Sequence, residues 1–201
     1  MNTNNYKIIK LDKEYISSVE LIWRESLPDN LKSMIGSKII KNYLEKFLMD
    51  NSNLGTGIMD TNKLVGFVLF GQDSQIVKRL IKEDFFIILK SFIQSILFFK
   101  IKKIVNFLNC IIYILISNRK ETALHSENTE LLIICVSKKF QNKGFGSILI
   151  KESFKNYSTF FKKFKGIFVK TLKKDNNNVF FYKKNRFKYV FEIFGRVYLK
   201  Y

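Results

Sequence analysis

Residues 131–146 read Leu131-Leu132-Ile133-Ile134-Cys135-Val136-Ser137-Lys138-Lys139-Phe140-Gln141-Asn142-Lys143-Gly144-Phe145-Gly146. The run Leu131 to Val136 is continuously apolar, as expected of a central strand covered on both faces. Ser137 to Gly146 is a loop rich in lysine and glycine. Phe145, Ile148, Leu149, Glu152 and Ser153 then trace one side of a helix, with Ile150, Phe154 and Tyr157 beside it. A strand–loop–helix turn leaves backbone N–H groups unpaired where the helix dipole is positive, which suits a pyrophosphate. Glycine permits positive φ and close backbone approach, and Lys138, Lys139 and Lys143 add charge. The spacing is neither the P-loop nor the dinucleotide G-x-G-x-x-G pattern. A lone G-x-G read by itself is also a tight helix start.

The flanking chain alternates strand and helix signals. Tyr6 to Leu11 reads as a strand. Tyr15, Ile16, Val19, Ile22, Trp23 and Leu27 have helical spacing, ended by Pro28-Asp29-Asn30. Ile40, Tyr43, Leu44, Phe47 and Leu48 define a second amphipathic helix. Leu54–Met59 and Leu64–Phe70 read as a hairpin about Asp60-Thr61-Asn62-Lys63. Gly166 to Thr171 is another strand, a short helix spans about Asn177 to Asn185, and Phe187–Phe194 and Arg196–Tyr201 form a closing pair. Strands and helices alternating in this order make an α/β domain on one mixed sheet.

Residues 74–120 interrupt the rhythm as a helical insertion between the third and fourth strands. Lys90, Lys100, Lys102 and Lys103 interrupt its apolar run too often for a membrane span. Two helices broken near Lys100–Lys103 are expected. They are read as a lid, a homodimer contact, a peripheral contact with the membrane's inner face, or an insertion on its own core.

The chain of 201 residues carries 35 basic and 17 acidic residues, a net charge of +18. That field attracts phosphates, nucleic acid or anionic headgroups, or is a solvated lysine surface. No basic recognition helix or RNA-binding aromatic signature stands out, so no specific nucleic acid is expected. The polar start MNTNNYK has no apolar stretch behind it, which argues against a signal peptide and for the cytoplasm. Two cysteines, Cys110 and Cys135, and one histidine, His125, leave no disulfide scaffold and no metal cluster to expect.

The Gln141-x-x-Gly144-x-Gly146 run after a strand ending in Val136 resembles motif A of the GCN5-related N-acetyltransferases, the GNAT superfamily. Asp175-Asn176-Asn177-Asn178-Val179-Phe180-Phe181-Tyr182-Lys183-Lys184-Asn185-Arg186-Phe187 looks like the family's motif B. One departure is clear: Arg186 stands where the family usually has glycine. That alters the turn out of the short helix or places a cation near the cofactor's phosphates.

The resemblance implies a single GNAT-type domain over residues 1–201, with a mostly antiparallel mixed sheet flanked by helices. It implies acetyl-CoA as co-substrate, no metal, and transfer to a primary amine. Asn142, Lys143, Gly144, Phe145 and Gly146 would hold the pyrophosphate, with Gln141 beside them. The edge at Ile134, Cys135 and Val136 would pair with the pantetheine arm, and Asn176 or Asn178 would fill the family's amide role. A backbone N–H on this strand would stabilise the oxyanion.

Direct transfer needs a base and an acid. Glu130 lies eleven residues before Gln141, an offset resembling that of the base in protein-acetylating members. Its alternative is a solvated strand-end carboxylate. His125 is a second candidate base, or an ordinary exposed histidine. Tyr182 matches the family's acid tyrosine, or is a packed aromatic. Cys135 reads as a core residue rather than a nucleophile. Lys173, Lys174, Lys183 and Lys184 flank motif B and face either the 3′-phosphate of CoA or solvent.

The acceptor is left open. The insertion and the positive field favour an anionic or surface-bound amine, such as a nucleotide- or lipid-linked amino sugar. A protein amine, an antibiotic amine and a polyamine also remain, the last opposed by like charge. A non-catalytic CoA-binding or anionic-membrane-surface module is the alternative function.

Overall fold

The computed structural model describes residues 6–28, 30–72, 74–97, 104–105, 127–193 and 195–201. Its strands are β1 (Tyr6–Lys10), β2 (Leu54–Asp60), β3 (Lys63–Gly71), β4 (Asn128–Val136), β5 (Gly166–Leu172), β6 (Lys188–Ile193) and β7 (Arg196–Lys200). Its helices are α1 (Ile16–Ser26), α2 (Leu31–Ile35), α3 (Ser37–Met49), α4 (Ser74–Glu83), α5 (Phe85–Leu97), α6 (Phe145–Asn156), α7 (Ser158–Phe161) and α8 (Asn176–Lys184).

The seven strands form one sheet in the order β1-β2-β3-β4-β5-β7-β6. Every neighbouring pair is antiparallel except β4 with β5. A short turn returns each antiparallel hairpin, whereas the parallel pair needs the crossover that α6 and α7 supply. Thr61 takes φ 56° at the tip of the β2–β3 hairpin, the backbone state that tight hairpin turns demand.

Helices cover both faces of the sheet. On one face α1 buries Val19, Ile22 and Trp23, and α3 buries Ile39, Ile40, Tyr43, Leu44 and Phe47. Those spacings place one apolar stripe on each helix, and the stripes meet Phe67, Leu69, Ile133 and Cys135 of the sheet. On the other face Leu149 and Ile150 of α6 and Tyr182 of α8 meet Val68, Phe70, Leu131 and Val169. The buried hydroxyls of Thr56 on β2 and Ser153 on α6 satisfy each other at 2.5 Å.

The described part of the insertion holds a corner that the spacing did not show, at Asp84 between α4 and α5; the break expected near Lys100–Lys103 lies outside the described residues, as do Cys110 and His125. Asp84 is buried, and the Asn42 side-chain amide of α3 donates to its two carboxylate oxygens at 3.0 and 2.9 Å. That anchor fixes the corner between α4 and α5. Nor does α4 belong to a separate core, because Ile76 and Leu80 join the cluster containing Trp23 and Tyr43. By contrast α5 leaves Phe86 81% and Leu97 67% exposed. Among the described residues no helix is long and apolar enough to cross a membrane.

The other differences are two short helices that the spacing did not show, α2 and α7, and the ends of elements. β4 begins at Asn128 rather than Leu131, and α8 spans Asn176–Lys184. Short polar residues before an apolar run pair in the ladder as readily as apolar ones, so hydropathy understates the strand.

Candidate active site

The parallel pairing of β4 with β5 covers three positions, Asn128↔Gly166, Thr129↔Ile167 and Glu130↔Phe168. Beyond Glu130 the two strands diverge. β4 continues to Val136 along β3, and β5 continues to Leu172 along β7. At the same level the β3–β4 register shifts, with Leu69↔Ile133 and Phe70↔Leu131, so Leu132 is an extra residue. A bulge of this kind bends and twists its strand, which is what parting from β5 requires. The β5-facing edge of Leu131–Val136 therefore has no ladder partner among the described strands. An open edge of this kind can pair with an extended amide-bearing chain in the manner of an added strand.

Helices α6 and α8 each follow one of the parting strands, so both begin at the open end of the split. After Val136 the chain makes a 3-10 turn at Lys138–Phe140. The Val136 carbonyl accepts from Ser26 Oγ at 3.0 Å and from Gln141 Nε2 at 2.9 Å. The Gln141 side chain thus clips the loop to the end of its strand. Asn142 and Gly144 adopt positive φ, 59° and 84°, folding the loop back under the start of α6. The Ile148 N–H is the first to reach back, to the Gly144 carbonyl at 3.1 Å. No side chain caps the helix start, so the first-turn amides of Phe145, Gly146 and Ser147 point outward. A Cβ on Gly146 would stand 3.1 Å from Phe181 Cε2 and Cζ of α8. That glycine is where the two helices approach closely.

Glu130 sits inside β4 and is 1% exposed, unlike a solvated strand-end carboxylate. Strand alternation places it on the α1–α3 face, opposite to Leu131. Lys170 Nζ of β5 lies 3.3 Å from Glu130 Oε1. Tyr182 is 8% exposed and comes from the other face, with its ring centroid 5.2 Å from that of Phe181 and 5.7 Å from that of Phe187. Burial pushes its hydroxyl well above the ordinary tyrosine range, and Cys135, Asp175 and Glu130 add to the effect electrostatically. Tyr182 of α8 is thus within electrostatic reach of both Cys135 and Glu130 of β4. The Cys135 thiol is itself pushed far up by burial, a neutral group poorly suited to nucleophilic attack.

Asn178 is committed locally. Its backbone N–H donates to Asp175 Oδ1 at 3.2 Å and its Nδ2 to Oδ2 at 2.6 Å, capping α8. Asn176 is exposed beside it, lining an open depression with Leu172, Lys174, Asp175 and Asn177. Lys173 Nζ meets Glu192 Oε2 at 3.0 Å, and Lys174, Lys183 and Lys184 are exposed. Arg186 holds φ 70°, so the position that the family usually gives to glycine keeps the glycine-like backbone. Among the described residues no group of His, Cys, Asp and Glu is placed to hold a metal ion.

Two contributors were missed in the sequence. Ser26 lies in an amphipathic helix with nothing to distinguish it. Lys170 carried a signal: a lysine interrupting the apolar run Ile167-Phe168-Val169 implies a partner for its charge.

No family model matches the chain, and no curated protein matches it in sequence. Solved structures do match in shape. The PaiA N-acetyltransferase of Thermoplasma acidophilum in complex with coenzyme A is 14% identical, covers 98% of each chain and has a TM-score of 0.60. A variant of the SpeG spermidine N-acetyltransferase of Vibrio cholerae is 12% identical over 99% of this chain and 94% of its own, with a TM-score of 0.59. Arabidopsis thaliana NAA60 in complex with acetyl-CoA is 14% identical over 98% of each chain, with a TM-score of 0.56. With its parted parallel strands, strand bulge and uncapped helix start, the chain has the fold of the GCN5-related N-acetyltransferases.

Proposed function

We propose that the chain is an N-acetyltransferase that moves the acetyl group of acetyl-CoA directly to a primary amine. One observation carries this reading: the split between β4 and β5 opens a strand edge, and the uncapped start of α6 lies at that same open end. An extended pantetheine arm fits the edge at Ile134–Val136, and a pyrophosphate fits the amides from Asn142 to Gly146. Complexes of similar folds with coenzyme A and acetyl-CoA support it. Asn176 remains available at the start of α8, whereas Asn178 is used in capping.

In this reading the donor's thioester lies between Glu130 and Tyr182. Glu130 takes a proton from the incoming amine, directly or through a water. The amine lone pair forms a bond to the acetyl carbon, and a strand N–H steadies the oxygen that gains charge. The carbon–sulfur bond breaks, the departing sulfur takes the Tyr182 proton, and the phenolate, which burial disfavours, recovers a proton from solvent through the open split. Titration calorimetry with acetyl-CoA, CoA and ATP tests the donor site. Micromolar binding of acetyl-CoA, weaker for ATP, is expected; folded protein that binds neither thioester nor thiol defeats the reading. Thiol release with a lysine peptide, an N-terminal peptide, glucosamine and spermidine then ranks acceptors. The net charge of +18 favours anionic amines, such as nucleotide- or lipid-linked amino sugars, over spermidine.

A second reading rests on α5, whose exposed Phe86, Leu89, Ile93 and Leu97 lie beside Lys90. A helix of that character attaches to anionic lipid. Co-sedimentation with phosphatidylserine vesicles and not with neutral ones supports it, and equal partition removes it.

A further inference from the structure

Glu130 is the last residue of β4 paired with β5, at the point where the split opens. Its neighbour across β3 is Gly71 and across β5 is Phe168, neither of them charged. Lys170 lies two positions beyond Phe168 on the same face of β5. Its Nζ stands 3.3 Å from Glu130 Oε1, with the two side chains 20% and 2% exposed. A carboxylate so buried is driven towards its neutral, protonated form unless a cation opposes the loss of water. From the other face, Tyr182 of α8 is within electrostatic reach of Glu130. On β7, Lys200, Tyr198 and Arg196 lie opposite Phe168, Lys170 and Leu172. On α1, Glu20 and Arg24 form their own pair at 3.2 Å. Lys170 is a cation in direct contact with it.

We propose that Lys170 is a positioning residue for Glu130, holding its carboxylate ionised and aimed along the β4–β5 split where an acceptor amine arrives. The inference rests on the acetyltransferase reading. Lys170 need not touch the substrate. It keeps the proton acceptor charged at neutral pH, and its own fixed charge disfavours an ammonium at the same place, favouring the neutral amine that attacks. Glu130 then passes the proton it has taken to solvent.

The test compares the unaltered protein with Lys170→Met and Lys170→Arg. Glu130 is titrated by carbon NMR of side-chain-labelled glutamate, its resonance assigned by its loss in Glu130→Gln. The Glu130 midpoint is expected to rise by about one pH unit or more in Lys170→Met and to return in Lys170→Arg. The acid limb of thiol release from acetyl-CoA, with the fastest amine of the panel above, should move by the same amount. If Lys170→Met fails to fold, Lys170→Gln takes its place. An unmoved midpoint, or a moved midpoint with an unmoved acid limb, overturns the proposal. Calorimetry on the same samples separates the two readings. Absent acetyl-CoA binding by the unaltered protein defeats the acetyltransferase reading, whereas intact binding with an unmoved midpoint defeats the role of Lys170 alone.

Discussion

Replacing Arg186 by glycine is expected to make the protein more stable. Arg186 is exposed and holds φ 70° between α8 and β6. A left-handed backbone costs an L-residue roughly 1–2 kcal/mol through crowding of its Cβ against the following carbonyl. Glycine avoids that cost but gains freedom in the unfolded chain, worth about 0.5–1 kcal/mol. The bond from the Arg186 N–H to the Lys183 carbonyl, 3.0 Å, belongs to the backbone and survives. The balance favours Arg186→Gly by about 0.5–1 kcal/mol, and a domain of this size gains about 2–4 °C in Tm per kcal/mol. Urea unfolding should therefore show a higher midpoint with an unchanged slope, and a thermal scan a rise of about 1–4 °C. Arg186→Val should fall below the unaltered protein, because a β-branched residue tolerates positive φ worst. If Arg186→Gly is equal or lower in stability, the strain argument fails. Acetyl-CoA affinity of the same variant reads the other role: weaker binding places the guanidinium near the cofactor's phosphates, and unchanged binding removes it from them.

Three other outcomes are expected. Gly144→Val should lose acetyl-CoA binding and some stability, because its φ of 84° resists a side chain although a Cβ there meets nothing within 4 Å; unchanged calorimetry would remove the pyrophosphate from this loop. Tyr182→Phe should lower turnover more than donor affinity. It should also raise the alkaline unfolding midpoint: burial holds the Tyr182 hydroxyl above its ordinary 10.0, so the unfolded chain ionises first and stability falls as pH rises; an unmoved alkaline limb and rate would demote the residue to packing. Cys135, buried with its thiol pushed above the ordinary 9.0, should resist iodoacetamide at pH 8 in a Cys110→Ser background and react only on unfolding; labelling of the folded protein would show that the β4 core opens.

The fold was legible because its elements are locally periodic. Leu131 to Val136 announces a covered strand, Ile40 to Phe47 a one-faced helix, and the Gln141–Gly146 run the turn between strand and helix. Element ends and corners were less legible. The break at Asp84 depends on Asn42, a partner on another helix, and no local pattern reports it. Motif A and motif B were each visible as strings, as was the exchange of glycine for Arg186. The strings do not show that Gln141 spends its amide on the Val136 carbonyl, or Asn178 its side chain on Asp175.

Sequence alone therefore determined which segments become strands and helices and which residues are chemically able to hold an anion or move a proton. Tertiary structure decided where β4 leaves β5, that Leu132 bulges there, and that Lys170 meets a glutamate forty residues earlier. Hydropathy and turn chemistry act between near neighbours, whereas strand register, twist and the pairing of buried charges exist only once distant segments are laid side by side.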